Sequence, residues 1–327
     1  MAMESEVQPK VHIVLLNWNS FGETSVCLTS LKDLRYDNRV VIVVDNGSTD
    51  DSVARIKAEF PWVEVILAGK NLGFPCGCNI GMRRALEDGA DYVWLLNNDA
   101  TADPGALEAI VAKAESDPRL GAIGSAIYEM EEPSKLQAWG GGYVNFWMGH
   151  ARHYLAPIPD QKVDYITGAS FLIPRAAMES VGLLDEGIFL YWDDPEYCWR
   201  LKRAGWKIGV AGDSKIWHKG MTAYGKKSPR MDTFFNASAA RFFREYSPIP
   251  MISVWVGVTL RMGKRLLMGD FDRARAVWAG ATQKNSVPAP GRVMSMNSNR
   301  PTIKSDPQVE PKIESENHFE RSAGGRR

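Results

Sequence analysis

Four segments of the sequence carry amides and carboxylates where a strand would end. Asn17 and Asn19 close VHIVLLNWN, Asp45 and Asn46 close VVIVVDN, Asn71 follows VEVILAGK, and Asn97, Asn98 and Asp99 close YVWLLNND. In open α/β sheets ligands sit outside the carboxyl ends of the strands, so these polar ends are predicted to converge on one crevice. Asn and Asp also favour turns and helix caps; that covers any single case but fits four aligned strand ends less well. Asp99 stands apart, because the helix after it has its own start, with Asp103 as N-cap and Pro104 at the first helical position. A spare carboxylate flanked by amides is a hard-cation ligand, suited to Mg²⁺ or Mn²⁺ held partly through a substrate's phosphates.

A second chemical stretch is FLYWDDPEYCWRLKRAGW. Its helix is predicted to begin at Pro195, with Asp194 as N-cap and Glu196 paired with Arg200 four residues on. Capping explains Asp194 and Glu196 but not Asp193, nor three acids among Tyr191, Trp192, Tyr197 and Trp199. Aromatic walls around carboxylates suit a sugar, and a carboxylate there can act as a general base. His218, in WHKG, is as a lone histidine more often structural; beside a metal at Asp99 it becomes a ligand candidate. In NLGFPCGCNIG the glycines Gly73, Gly77 and Gly81 fit neither GxGxxG nor GxxxxGK[ST], which argues against dehydrogenases and P-loop enzymes. They are predicted to bring the backbone close to a ligand at a helix start. Cys76 and Cys78, with no second pair, read as small buried side chains.

The elements that must position these groups alternate from Val11 onward. β-branched runs end in the polar residues above, and each is followed by a helical pattern (SVCLTSLKDL, DSVARIKAEF, CNIGMRRALEDG, PGALEAIVAKAE). That alternation predicts an α/β fold with a mainly parallel sheet flanked by helices. After Pro133 the texture becomes rich in Gly, Pro and aromatics and predicts irregular, partly mobile structure to about 165. A strand pair, VDYIT and ASFLIP, a short helix at RAAMESV and a strand at KIGVAG follow. Helices are predicted over 231–246 and 251–281. The expected organisation is a tail over 1–10, a catalytic domain over 11–247, an amphipathic helical extension over 248–283 and a disordered tail over 284–327.

The chain has 327 residues, 45% hydrophobic and 24% charged, which excludes wholesale disorder and a mini-protein. Lys+Arg and Asp+Glu both number 39, so no global charge draws it to nucleic acid. Four cysteines without a CxxC pair suit a reducing compartment, and MAMESEVQPK has no apolar signal core, so a cytoplasmic protein is expected. The apolar run 249–260 is cut by Arg261, Lys264 and Arg265 short of the roughly 20 residues of a spanning helix. Trp255, Leu260, Leu266, Leu267 and Trp278, beside Arg261, Lys264, Arg265, Arg273 and Arg275, suit a membrane surface; packing on the catalytic domain or on a second copy is the competing expectation.

In order, VHIVLLNWN, VVIVVDNGSTDDS, NLGFPCGCNIG, YVWLLNND, ITGASFLIPR and FLYWDDPEYCWRLKRAGW resemble the successive motifs of glycosyltransferase family 2, most of all its bacterial rhamnosyltransferase-like branch, over about residues 10–247. The resemblance implies a GT-A fold and inverting transfer of a sugar, such as rhamnose, from a nucleotide diphosphate donor to an acceptor hydroxyl. The acceptor would be a saccharide or lipid-linked saccharide of cell-surface polysaccharide or glycolipid assembly. It further implies that Asp45 contacts the nucleotide base, Asp99 is the last acid of a DxD and holds the metal, and Asp194 is the general base. Arg200 would be the basic residue on the same helix, and His218 would lie beside the diphosphate and metal. Asn17, Asn71, Asn98 and Asp193 complete the expected substrate-binding set. Two positions depart from the family pattern: Asn97 replaces the first acid of DxD, and Asp193 replaces Glu in its ED pair. A diphosphate neutralised by a cation leaves without a protein acid, so one base and one metal suffice, unlike the two carboxylates of glycoside hydrolysis. The competing functions are a non-catalytic sugar- or nucleotide-binding protein on a decayed transferase scaffold, and a nucleotidyltransferase, against which the lack of a Gly-rich basic loop near the start argues.

Overall fold

The computed structural model describes residues 8–220 and 228–283; the expectations for the first seven residues and for disorder over 284–327 lie outside the described residues. The chain first winds strand and helix in turn: β1 (Val11–Asn17), α1 (Phe21–Lys32), β2 (Arg39–Asp45), α2 (Ser52–Glu59), β3 (Glu64–Leu67), α3 (Phe74–Glu87) and β4 (Tyr92–Leu96). β1 runs parallel to both β2 and β4, and β2 to β3. The strands read as continuous apolar runs because both faces are covered. Val14, Ile42 and Val44 pack with Cys78, Met82 and Ala85 of α3, whereas Ile13, Leu15, Val41 and Val43 pack with Leu28 of α1 and Ile56 of α2.

The second half adds β5 (Ala100–Ala102), α4 (Ala106–Glu115), β6 (Leu120–Glu129), β7 (Leu136–Trp139), β8 (Gly141–Asn145), β9 (His150–His153), β10 (Tyr165–Ile166) and β11 (Ser170–Pro174). It then adds α5 (Arg175–Val181), α6 (Asp193–Arg203), β12 (Lys207–His218), α7 (Pro229–Tyr246), α8 (Pro250–Leu267) and α9 (Phe271–Thr282). β11 inserts antiparallel between β4 and β6, and β12 lies parallel to β6 and antiparallel to β5. All of these strands join one mixed sheet whose first half is parallel.

Several expectations are corrected. Asp103 does not cap α4: its Oδ1 accepts from Gly105 N at 2.9 Å in a turn before the helix, whose first residue is Ala106. The stretch after Pro133 is not irregular, since it builds β7, β8 and β9; Gly141 and Gly142 let β8 lie against the backbones of Tyr165 and Arg152, where a Cβ would collide. VDYIT and ASFLIP do not pair with each other, because β10 joins β8 while β11 joins β4 and β6. Gly77 and Gly81 seat α3 on Leu16 and Val14 of β1 rather than approaching a ligand, and Gly73 starts the helix at φ +86° against the Phe189 backbone.

α8 and α9 pack on α7 through basic residues that their amphipathic pattern suggested would face outward. Arg265 and Arg273 each pair with the buried Asp232 at 2.6 Å, while Arg261 donates to Asn236 Oδ1 (2.6 Å) and to Gly149 O (2.7 Å). What faces outward is Ile252, Leu260, Leu266, Leu267, Met268, Phe271 and Trp278, accompanied by Lys264 and Arg275. No helix among the described residues is long and apolar enough to cross a membrane.

Candidate active site

The carboxyl ends of β1, β2 and β4 open into a cavity of about 550 Å³, closed on the far side by β9, the 167–169 turn and the start of α6. Asn46, Asn71, Asn98, Asp99, Asp193, Asp194 and His218 line it; Asn17, Asp45 and Arg200 do not.

Asp45 is buried at the end of β2, and its carboxylate accepts from Asn17 Nδ2 (3.0 Å), Ser48 N (2.9 Å) and Ser48 Oγ (2.5 Å). Asn17 also accepts from Thr24 Oγ1 (2.8 Å), which in turn accepts from Asn98 Nδ2 (2.8 Å). These residues therefore form one hydrogen-bonded row across the strand ends, with Asp45 shaping the 45–48 turn. Asn46 joins this edge as a lining residue beyond those the family motifs imply. Its Oδ1 accepts from Leu72 N (3.0 Å), and its Nδ2 donates to Asn71 Oδ1 (3.2 Å) and Gly73 O (3.1 Å), so β2 is clasped to the start of α3.

Across the cavity, Asp99 and His218 come together although 119 residues separate their numbers. β5 and β12 pair so that His218 is opposite Ala100, and His218 Nε2 lies 3.1 Å from Asp99 Oδ1. Burial pushes the Asp99 carboxyl up, but the hydrogen bond and charge of His218 outweigh it and hold the group below its ordinary value. A carboxylate oxygen and an imidazole nitrogen this close, both on the cavity wall, are a donor pair that fits Mn²⁺ or Mg²⁺, with remaining positions for phosphate oxygens and water. Among the described residues no group of three His, Cys, Asp or Glu assembles, so the chain offers a pair of such ligands. Asn97, at the first DxD position, directs its Nδ2 to within 3.2 Å of the same His218 Nε2.

The acidic pair occupies the opposite wall. Asp194 is not the N-cap: α6 starts one residue earlier than Asp194, after Trp192 in the left-handed region (φ 64°), so both acids lie in the first turn. The Asp194 Oδ2 accepts from Gly168 N at 3.1 Å. Burial raises its pKa to about 6 against the main-chain hydrogen bonds of Gly168 and Asp194, where capping alone would have lowered it. Asp193 is held well above the usual carboxylate range by burial and then by the charge of Asp194. The two carboxyls thus differ in how readily they ionise, Asp193 being the one pushed furthest toward its neutral form. Asp194 is the one poised to ionise and accept a proton.

Arg200 points away from the cavity. Nε pairs with Glu196 at 2.8 Å, and the two terminal nitrogens donate to Val181 O and Leu183 O, tying α6 to the end of α5. Gln137, Arg152 and His153 carry no signal in the sequence, because β7 and β9 fall in the stretch whose composition suggests irregular structure. Arg152 and His153 line the cavity, and His153 is lowered in pKa by burial and then by the neighbouring His218.

The sequence matches the family described as Glycosyl transferase family 2 over residues 13–182. It is 27% identical over 203 residues to the N-acetylglucosaminyl-diphospho-decaprenol L-rhamnosyltransferase of Mycobacterium tuberculosis, covering 54% of this chain and 66% of that protein, just under two thirds of its length. It is 23% identical over 225 residues to the dTDP-rhamnosyl transferase RfbF of Shigella flexneri, covering 68% of this chain and 71% of that one. Among solved structures it resembles GalNAc-T7 with UDP, GalNAc and Mn²⁺ (TM-score 0.62, 13% identity, 83% of this chain and 55% of that one). It also resembles the mannosyltransferase PcManGT of Pyrobaculum calidifontis with GDP-Man and Mn²⁺ (TM-score 0.54, 16% identity, 86% and 77%). At these identities the likeness establishes the fold, which is GT-A.

Proposed function

The chain belongs to glycosyl transferase family 2, and from that premise we propose that it is an inverting glycosyltransferase acting on a nucleotide diphosphate-sugar. The observation that carries the reading is one cavity with Asp194 on one wall and the Asp99–His218 pair on the other. The acceptor hydroxyl attacks the anomeric carbon from the Asp194 side, its proton passes to the Asp194 carboxylate, and the bond to the diphosphate breaks with its electron pair leaving on the nucleotide. Asp99 and His218 would hold a Mg²⁺ or Mn²⁺ ion, which when bound neutralises the developing charge of the leaving diphosphate. Asn71, Asn46 and Asn98 form the nucleoside edge, with Asp45 and Asn17 fixing its shape from behind. Protonated Asp193 donates a hydrogen bond to a sugar hydroxyl.

The donor is a dTDP-sugar, as the Shigella relative's name suggests, with rhamnose favoured by the names of both the mycobacterial and Shigella relatives, and the acceptor is a lipid-linked saccharide, as the mycobacterial name suggests. Such an acceptor requires the enzyme to work at the inner face of the plasma membrane. The outward apolar face of α8 and α9, flanked by Lys264 and Arg275, supports that location. Incubation with a panel of nucleotide sugars, Mn²⁺ and a sugar-diphospholipid acceptor tests the reading. Release of nucleoside diphosphate with product formation supports it, whereas binding without release indicates a decayed scaffold and release of pyrophosphate indicates a nucleotidyltransferase.

A further inference from the structure

Gln137, on β7, reaches across β6 to His218 on β12 and takes hold of that residue twice. Its Nε2 donates to the His218 main-chain oxygen at 3.3 Å, and its Oε1 stands 2.7 Å from His218 Nδ1. A main-chain carbonyl can only accept, so the amide is fixed in orientation: its nitrogen faces the carbonyl and its oxygen faces the ring. Nδ1 must then carry the hydrogen that Oε1 accepts. On the far side of the ring Nε2 faces Asp99 Oδ1 at 3.1 Å, its hydrogen-bond partner until a cation takes the proton's place, and the Asn97 amide lies 3.2 Å from the same nitrogen. The strand frame is rigid here, since β6 pairs with β7 through Ile127 and Ala138 and with β12 through Tyr128 and Trp217.

We infer that Gln137 is a positioning residue that fixes the ring orientation and tautomer of His218, so that Nε2 presents its lone pair to a divalent cation beside Asp99. The inference rests on the reading of Asp99 and His218 as the metal ligands. Without Gln137 the proton moves freely between the ring nitrogens and the ring rotates about its own axis, and ligation has to reverse both. Outer partners of metal-bound histidines typically contribute roughly 10- to 100-fold in metal affinity.

The test measures Mn²⁺ binding to the full chain by water-proton relaxation, with UDP and separately dTDP as nucleotide probes, in wild type, Gln137→Met, Gln137→Glu and His218→Ala. Gln137→Met removes both bonds and should weaken Mn²⁺ roughly 10- to 100-fold with unchanged melting in EDTA. Gln137→Glu keeps an acceptor for Nδ1–H while losing the bond to the His218 carbonyl, and should bind Mn²⁺ more tightly than Gln137→Met, a partial rescue that a merely structural role would not produce. If Gln137→Met melts below the assay temperature, Gln137→Asn, too short to reach both groups of His218, replaces it with the same expectation. Equal Mn²⁺ affinity in wild type and Gln137→Met, with His218→Ala weakened, overturns the inference and leaves the metal reading standing. Absence of Mn²⁺ binding in wild type, or wild-type binding by His218→Ala, overturns the metal reading and the inference with it.

Discussion

Replacing Asp194 by Asn should make the protein more stable and nearly inactive at once. The Asp194 pKa stands at about 6 against an ordinary 3.8, so the folded chain holds a proton that the unfolded chain has already lost between those two values. The sign follows from that difference. Below pH 3.8 the carboxyl is neutral in both states and costs nothing; as pH rises toward 6 the unfolded state ionises freely while the folded state does so against its burial, so stability is lost across this window and the loss is constant above it. Moving the carboxyl from 3.8 to about 6, at ~1.4 kcal/mol for each tenfold change in proton affinity, sets a ceiling of about 3 kcal/mol. Asn keeps the shape and an oxygen to accept from Gly168 N, and it removes the charge that also raises Asp193.

Urea unfolding of wild type and Asp194→Asn at pH 4 and pH 7.5 reads the effect directly. The variant should gain up to ~3 kcal/mol at pH 7.5 and close to nothing at pH 4, with unchanged m-values. Transfer, followed as nucleoside diphosphate release in the presence of acceptor, should fall by about 10²-fold or more, the usual scale for a lost general base. Asp193→Asn should be milder in activity because burial and the Asp194 charge both push that carboxyl toward its neutral form, which Asn resembles. A variant equally stable at both pH values, still transferring sugar near the wild-type rate while Asp193→Asn is dead, would refute both the burial argument and the assignment of the base.

In wild type, kcat/KM should fall on the acid side with an apparent pKa near 6, a limb that pH–rate profiles will lack if another group is the base. Asp99→Ala should abolish the stimulation by Mn²⁺, whereas Asp45→Ala should chiefly raise the donor KM by loosening the 45–48 turn; full activity in excess EDTA contradicts the metal role. Flotation with anionic liposomes at low salt should carry the wild-type chain upward and leave the Leu267→Glu, Phe271→Glu double variant behind; equal recovery of both removes the membrane face. Gly81→Val should cost about 1–3 kcal/mol in urea unfolding because a Cβ there meets Val14, and a neutral result would show that α3 can lift from β1.

What is legible in the sequence is local. Polar residues closing apolar strands are contiguous in the chain, and parallel winding carries them to one edge without further information, so Asn71, Asn98 and Asp99 reach the cavity as expected. Contacts between distant segments are not legible: nothing near Gln137 in the chain announces His218, 81 residues away, because the pairing is set by two strand registers on either side of β6. Arg200 has acidic and aromatic neighbours that suggest the site, yet the carbonyls of Val181 and Leu183, which emerge only when α5 packs on α6, take its guanidinium. The orientation of α8 is encoded residue by residue, at a finer grain than its amphipathic composition. Helical spacing puts Ile252, Val256, Leu260 and Leu267 on one side and Val254, Val258, Arg261 and Arg265 on the other, and this spacing alone separates the outward apolar stripe from the inward arginines.

The start of α6 shows how position and chemistry constrain each other. Had the helix begun at Pro195, Asp194 would have been spent on capping, its oxygens turned to the helix N–H groups and its pKa lowered. Instead Tyr191 and Trp192 both adopt left-handed backbone, at φ 63° and 64°, a conformation that costs a non-glycine residue about 1 kcal/mol or more. That turn begins the helix early, carries Asp193 and Asp194 into its first turn, and leaves the Asp194 carboxyl with one main-chain partner outside its own helix, Gly168. The surrounding structure holds the turn in place: Trp192 is buried and packs its ring against Phe235, Phe242 and Phe243 of α7. Burial of Trp192 thus sustains backbone strain beside the cavity, and the strain places an acid where it is costly to ionise and able to accept a proton. The same geometry makes the Asp194→Asn variant a gain in stability and a loss of turnover.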